Sequence, residues 1–322
     1  MSQGRPIFQR IALIGVGLIG ASLALGARRG DLGGEIVGCA RKPETRQAAL
    51  DLGICDRVEA DPARAADGAD LVLICTPLGA YADIAARIQP VLQPDCIVSD
   101  VGSVKQAVVR DVGPFIPDHV HFVPGHPIAG TEKSGPEAGF AELFRDRWAI
   151  LTPPPGTDQH AIDKVVALWR GLGSMVEIMD AQHHDRVLAI TSHLPHLIAY
   201  TIVSTAADLE NGEQQEVIKF SAGGFRDFTR IAASDPVMWR DIFLNNREAV
   251  LEVLQRFNED ITALQRAIRW GEGEMLEDRF RHTREIRRDV VEAHQAGSFD
   301  PREPERAQVT PPPGESGDGH GE

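Results

Sequence analysis

Gly15-Val16-Gly17-Leu18-Ile19-Gly20 decides the fold, because of what flanks it. Residues 10–15 are an apolar run that reads as a buried strand, and Ala21-Ser22-Leu23-Ala24-Leu25-Gly26-Ala27 reads as the start of a helix. Glycines at this spacing between a strand and a helix form a dinucleotide-binding fingerprint. The first makes the tight turn, the second lets the backbone approach a pyrophosphate, and the third lets the helix pack closely on the strand. Gly15, Gly17 and Gly20, with the helix-start N–H groups of Leu18 and Ile19, are the candidate phosphate contacts.

Strand and helix alternate from there through the first half. Residues 35–40 form a second strand. Asp70-Leu71-Val72-Leu73-Ile74-Cys75-Thr76-Pro77 is a third, apolar as a parallel strand covered on both faces is. Residues 96–100 and 120–124 follow, and 148–151 and 175–179 are expected to complete the same sheet, with helices over 79–89, 103–111 and 158–171. The pattern predicts an α/β Rossmann-type nucleotide-binding domain over residues 1–180. Ligands of such sheets lie beyond the carboxyl ends of the strands, where Thr76, Ser103 and His126 each follow a strand of their own. An NAD-preferring site usually carries an acid about 20 residues past the glycines, on the ribose 2′-hydroxyl. Ala40-Arg41-Lys42 offers two cations there instead. NAD or NADP is the expected cofactor, with a tilt toward NADP through Arg41 and Lys42.

The second chemical stretch is Gly125-His126-Pro127-Ile128-Ala129-Gly130-Thr131-Glu132-Lys133-Ser134-Gly135. Pro127 fixes its own φ and restricts His126 to extended conformations, and glycines at 125 and 130 permit unusual backbone shapes, so the imidazole is expected on a stiff loop. With a reference pKa of about 6.5, it suits a general base at neutral pH.

Past Asp180 strands stop. Residues 181–211, 236–270 and 272–296 read as three long helices, an all-α C-terminal dimerisation domain over 181–297, because its apolar stripes exceed what one small domain hides. Residues 298–322 hold five prolines and four glycines and read as a disordered tail. A net charge of -14 argues against nucleic acid as the main partner. The four cysteines lack Cys-x-x-Cys spacing, and the amino-terminal residues lack a signal-peptide layout, so a reducing, cytoplasmic location is expected. No apolar run reaches 18 residues, so no membrane span is expected. His193 and His196 lie three apart on a helix without a third well-spaced ligand, so no metal is expected.

Five motifs in order carry a resemblance: Gly15-x-Gly17-x-x-Gly20, Asp100-Val-Gly-Ser103-Val-Lys105, the His126 stretch, Ser192-His193-Leu194-Pro195-His196, and Phe225-Arg226-Asp227-Phe228-Thr229-Arg230. Over residues of about 10–290 the chain resembles the prephenate/arogenate dehydrogenase family of tyrosine biosynthesis. That resemblance implies oxidative decarboxylation of prephenate or arogenate with reduction of NAD or NADP, by a homodimer. It implies His126 as the base, Ser103 orienting it beside the nicotinamide, and Arg230 gripping the substrate carboxylate. Asp227 and Glu132 would form an acidic network around that arginine, Thr131 would be a loop hydrogen bonder, and His196 would meet the substrate's side chain. Asp185 and Trp239 are expected only to shape the pocket, Trp239 as core. An arginine buried in the 230 segment would be costly unless an anion met it. The early glycine fingerprint and the short polar tail suggest a stand-alone version, with no mutase domain ahead and no regulatory domain behind. A 3-hydroxyacid-type dehydrogenase has a similar layout but relies on a catalytic lysine in the helical half, where only Lys219 precedes residue 235. A non-catalytic nucleotide sensor would have no need of Ser103, His126 and Arg230 together.

Overall fold

Strand β1 (Phe8–Ile14) is apolar on both faces: Ile11 and Leu13 enter one buried cluster, Ala12 and Ile14 the other. Alternating side chains point to opposite faces, so such a strand has to be covered on both sides. A computed structural model, which describes residues 6–131, 133–208 and 223–292, shows that arrangement. Strands β1, β2 (Gly33–Cys39), β3 (Arg57–Glu59), β4 (Leu71–Ile74), β5 (Ile97–Asp100) and β6 (His121–Phe122) form a parallel sheet in the order β3-β2-β1-β4-β5-β6. Helices α1 (Leu18–Arg29), α2 (Pro43–Asp51), α3 (Pro62–Ala66), α4 (Tyr81–Ile88) and α5 (Lys105–Val112) make the crossovers. The order reverses at β1 and β4, the switch point where ligands of such sheets bind.

The expectation of one sheet is corrected. Strands β7 (Gly125–Pro127), β8 (Trp148–Leu151) and β9 (Met175–Ile178) form a separate three-stranded sheet. Val123 N–H makes the last backbone bond to the first sheet, to Val98 O, and the next N–H on that edge, that of Gly125, goes to the Asp100 side chain instead. The chain then turns to pair antiparallel with β8, placing His126 opposite Ile150. His126 therefore stands on a short strand rather than a loop. Gly125 sits in a tight spot, where a Cβ would lie 3.1 Å from Leu151 Cδ2 and 3.2 Å from Asp100 O, whereas Gly130 faces open space. Helix α6 (Gln159–Gly171) follows β8 and buries Trp169 fully against α1 and the first sheet. Truncating such a side chain costs about 3–5 kcal/mol.

The helical half is more broken than periodicity suggests. The expected helix from 181 comprises α7 (Ala181–Leu188), a π-helical turn at Ala189–His193 and α8 (Leu194–Ala207), with Pro195 at the start of α8. The expected helix 236–270 is split at Asn246 into α10 (Pro236–Asn245) and α11 (Arg247–Trp270), after α9 (Gly223–Thr229) and a tight turn at Arg230–Ala233. Gly271, at φ 70°, caps α11 before α12 (Gly273–Glu292). The expected extension of the first helix to 211, and the tail from 298, lie outside the described residues.

Trp239 and Ile242 of α10 are buried in the same cluster as Leu78, Tyr81 and Val108, so the helical half shares a core with the nucleotide-binding half. Among the described residues one stretch departs from the expectation that no apolar run is long enough to span a membrane. The run Ala181–Ala207 is long and apolar enough to cross a membrane by length and composition alone, and most of its most apolar part is not buried. Together with exposed Leu244, Leu251, Ile268 and Trp270, it leaves the helical half with apolar surface that this chain does not cover.

Candidate active site

The glycine turn is built for a phosphate. Gly15 sits at φ 111°, and a Cβ there would lie 2.6 Å from Cys75 O. A Cβ on Gly20 would strike Gly15 O, whereas one on Gly17 would meet nothing within 4 Å. The turn is therefore closed at its base and open at its mouth. Helix α1 begins at Leu18 with no side-chain cap and no acid in its first turn. The N–H groups of Leu18, Ile19 and Gly20 are left for an anion. Across the switch point, Thr76 Oγ1 is buried without a hydrogen-bond partner among the described residues. An orphaned hydroxyl beside an open glycine turn fits a dinucleotide whose sugar hydroxyls complete it. Arg41 and Lys42 are exposed just past β2 and line an open surface cavity with Thr45.

Around His126 the two halves meet. Its Nδ1 lies 2.9 Å from His184 Nε2, and His184 Nδ1 lies 2.8 Å from Asp185 Oδ1. His184 and Asp185 are fully buried, and His126 is 9% exposed. The Asp185 carboxylate also accepts the backbone N–H of Lys105 at 2.7 Å and of Gln106 at 3.0 Å, capping α5 from the other half of the chain. Behind β7, buried Lys105 pairs with Asp100 at 2.6 Å and donates to Gly125 O, while Asp100 Oδ1 accepts Gly125 N–H at 3.1 Å. Both backbone faces of Gly125 are thus held by one ion pair. Burial pushes the His126 pKa well below its usual value, and the charges of His184, Lys105 and His193 push the same way. Burial also lowers His184, against the raising effect of Asp185. Both rings are neutral near pH 7. Ser103 is half-buried in the loop before α5 and makes no hydrogen bond within the described residues. In this structure it is His184 that holds the His126 ring.

A second group lies along α8. His193 is 1% exposed, its Nδ1 lies 3.1 Å from Asn246 Nδ2, and its Nε2 has no partner among the described residues. Burial drives its pKa down to about 4. His196 donates from Nδ1 to Ser192 O at 2.8 Å and stacks on Trp239, ring centres 3.7 Å apart. Trp239 is core, as expected, and also a platform for His196. Burial lowers the His196 pKa, and the Arg230 charge lowers it further, so that guanidinium acts on this imidazole. Tyr200 donates to Ser234 O at 2.9 Å, tying α8 to the turn that carries Arg230. Arg230 is exposed, not buried, so the desolvation argument does not apply to it here. Asp227 is exposed nearby in sequence, Thr131 Oγ1 accepts the Lys133 N–H at 3.2 Å, and Glu132 lies outside the described residues. Among the described residues no group of three or more His, Cys, Asp or Glu is placed to hold a metal.

Sequence reasoning missed His184, Lys105 and Asn246. A His-Asp dipeptide carries no signal, because adjacent helical residues do not normally face each other. Lys105 stood in a quoted motif, but nothing in the sequence showed that it would be buried. Asn246, which also donates to Asp185 O at 2.8 Å, could be suspected only as a residue that competes with helix backbone bonding.

Comparison with known proteins identifies the family. The chain matches the family described as prephenate dehydrogenase, nucleotide-binding domain, over residues 23–178, and prephenate dehydrogenase, dimerization domain, over residues 180–282. It is 42% identical to a cyclohexadienyl dehydrogenase of Zymomonas mobilis over 87% of this chain and 96% of that one. It is 35% identical to a prephenate dehydrogenase of Bacillus subtilis over 90% of this chain and 78% of that one. The crystal structure of prephenate dehydrogenase from Aquifex aeolicus with hydroxyphenyl propionate and NAD+ superposes with a TM-score of 0.81 at 38% identity, covering 88% of this chain and 98% of that one. The glycine turn, the buried imidazole beyond the strand ends and these likenesses along nearly the whole chain have one reading: the protein belongs to the prephenate dehydrogenase family.

Proposed function

We propose that the protein catalyses the oxidative decarboxylation of a cyclohexadienyl carboxylate in tyrosine biosynthesis, prephenate to 4-hydroxyphenylpyruvate or arogenate to tyrosine. The observation that carries the reading is the enclosed imidazole of His126, just past β6, in a chain whose glycine turn is open for a phosphate. When bound, the nicotinamide accepts a hydride from the alcohol carbon of the ring. His126 takes the alcohol proton as that carbon is oxidised. The bond to the ring carboxylate then breaks, carbon dioxide leaves, and its electron pair makes the ring aromatic. The phenolic oxygen recovers the proton from His126, so no net proton is consumed.

Ser103 would lie at the reacting end. Arg230 would grip the ring carboxylate, with Thr131, Glu132 and Asp227 around it, and His196 on its Trp239 platform would meet the substrate's side chain. Gly15, Gly17, Leu18, Ile19, Gly20 and Thr76 would hold the dinucleotide. Either NAD or NADP fits the glycine turn, and exposed Arg41 and Lys42 support a preference for NADP through its 2′-phosphate. The uncovered apolar helices support a homodimer through the helical half, with a mass of about twice 35.0 kDa by light scattering. Four free thiols are in keeping with a cytoplasmic location.

Steady-state kinetics with both substrates and both cofactors tests the reading, and no turnover with any pair would refute it. His126→Asn should bind dinucleotide normally and lose roughly 10²–10⁴-fold in kcat. A variant with near-normal kcat would remove His126 from the mechanism.

A further inference from the structure

Resting on that reading of the reaction, we propose that His184 and Asp185 are positioning residues that set the tautomer of His126 and take up, through its Nδ1, the charge created when its Nε2 accepts the substrate proton.

The argument is one of donors and acceptors. Among the described residues, every partner of the Asp185 carboxylate donates to it: Lys105 N–H, Gln106 N–H and the His184 ring. The proton of neutral His184 is therefore on Nδ1, and its Nε2 carries a lone pair. At 2.9 Å from that lone pair, His126 Nδ1 has to be the donor, because the other tautomer would set two lone pairs face to face. His126 Nε2 is then the free base, since the one hydrogen bond of this ring among the described residues uses Nδ1. The tautomer that the reaction requires is dictated by a carboxylate two hydrogen bonds away.

The surrounding charges decide where a second proton rests. Around His126 they are unfavourable: Lys105 from α5, His193 from the π turn and His184 from α7 all oppose protonation. His184 faces Asp185 and Asp100, which favour protonation, and Lys105, which opposes it. When Nε2 of His126 takes the alcohol proton, passing the Nδ1 proton to His184 Nε2 leaves His126 neutral and His184 an imidazolium against Asp185. One N–H bond breaks at His126 and one forms at His184. The transfer reverses when the phenolic oxygen recovers its proton. The two rings thus titrate as a coupled pair. The π turn at Ala189–His193 contributes by placing His193. Residues 184 and 193 are about two and a half α-helical turns apart and would face opposite ways in an unbroken helix.

The first test uses wild-type protein without substrate. Spectra of 15N-histidine-labelled protein report which ring nitrogen carries each proton, with His126→Asn and His184→Gln identifying the signals. His126 and His184 should both be protonated on Nδ1. A His126 protonated on Nε2 would overturn the proposal. The second test is His184→Gln, whose amide oxygen can still accept from His126 Nδ1–H but cannot take its proton. KM and dinucleotide affinity should stay within about twofold, and kcat should fall at least roughly 10-fold. The acid limb of kcat/KM should move down by about one pH unit, because the remaining base has lost its carboxylate-backed partner. A lower melting temperature with kcat and the acid limb unmoved would mean a structural role only and overturn the proposal. If His184→Gln does not fold, Asp185→Asn asks the same question, since its amide oxygen can still accept from Lys105 and His184 while the charge is gone. An unmoved acid limb there counts equally against the idea. Wild-type enzyme that turns over neither prephenate nor arogenate would remove the functional reading and with it the proton step, while the spectra would still decide the tautomer.

Discussion

Changing Lys105 to Met keeps much of a fully buried side chain and removes its charge. Its ammonium meets Asp100 Oδ2 at 2.6 Å, with the two side chains 0% and 1% exposed. Removing one member of a buried pair costs about 3–5 kcal/mol, because the other charge is stranded without water. Asp100 would keep three donors: Gly102 N–H at 2.7 Å, Gly125 N–H at 3.1 Å and the Tyr81 hydroxyl at 3.3 Å. These place the loss at the lower end, about 3 kcal/mol, which for a chain of 322 residues is roughly 4–5 °C in Tm. Urea unfolding of Lys105→Met and wild type, followed by the fluorescence of the four tryptophans, measures it at one fixed protein concentration. The double variant Asp100→Asn with Lys105→Met strands no charge and should recover part of the loss. Turnover should fall in the single variant as well, because Lys105 and Asp100 together hold the backbone of Gly125, next to His126. A loss below about 1 kcal/mol, or a double variant no more stable than the single one, would refute the view that this pair braces the strand bearing the base.

Acid should destabilise the fold through its buried histidines. For His193 the folded-state pKa, about 4, lies below the unfolded value of 6.5, so between the two the unfolded chain binds more protons. Stability is then full above about pH 6.5 and falls below it, by about 1 kcal/mol at about pH 5.5 from His193 alone. A Tm that does not drop between about pH 7.5 and 5.5 would contradict the burial of these rings. Arg230→Gln should raise KM for the substrate by about 10-fold with little change in kcat or Tm, since the residue is exposed and a carboxylate grip acts in ground and transition states alike. A lower Tm with unchanged KM would make Arg230 structural. Arg41→Ala with Lys42→Ala should weaken NADP far more than NAD, measured as Kd for each, and equal losses would exclude a 2′-phosphate contact.

The nucleotide-binding half was legible because its signals are local. Glycines at 15, 17 and 20 act through backbone geometry within one turn, and the apolar runs at 10–15 and 70–77 have only one stable use, as strands covered on both faces. His126 could be placed past a strand end from its neighbours alone. Its surroundings could not. That β7 leaves the first sheet depends on the Gly125 N–H turning to the Asp100 side chain and on the partner β7 then finds in β8, about 20 residues further on. The breaks at Ala189–His193 and Asn246 override a clean helical periodicity, since the Asn246 amide is engaged with Asp185 O and His193. Above all, the chain from His126 through His184 to Asp185 joins residues 58 positions apart, and Asp185 caps a helix 80 positions earlier. Sequence by itself determined which groups the protein carries and which half binds nucleotide. Burial, tautomer and proton affinity depend on what surrounds each group in space, and only the tertiary structure decided them.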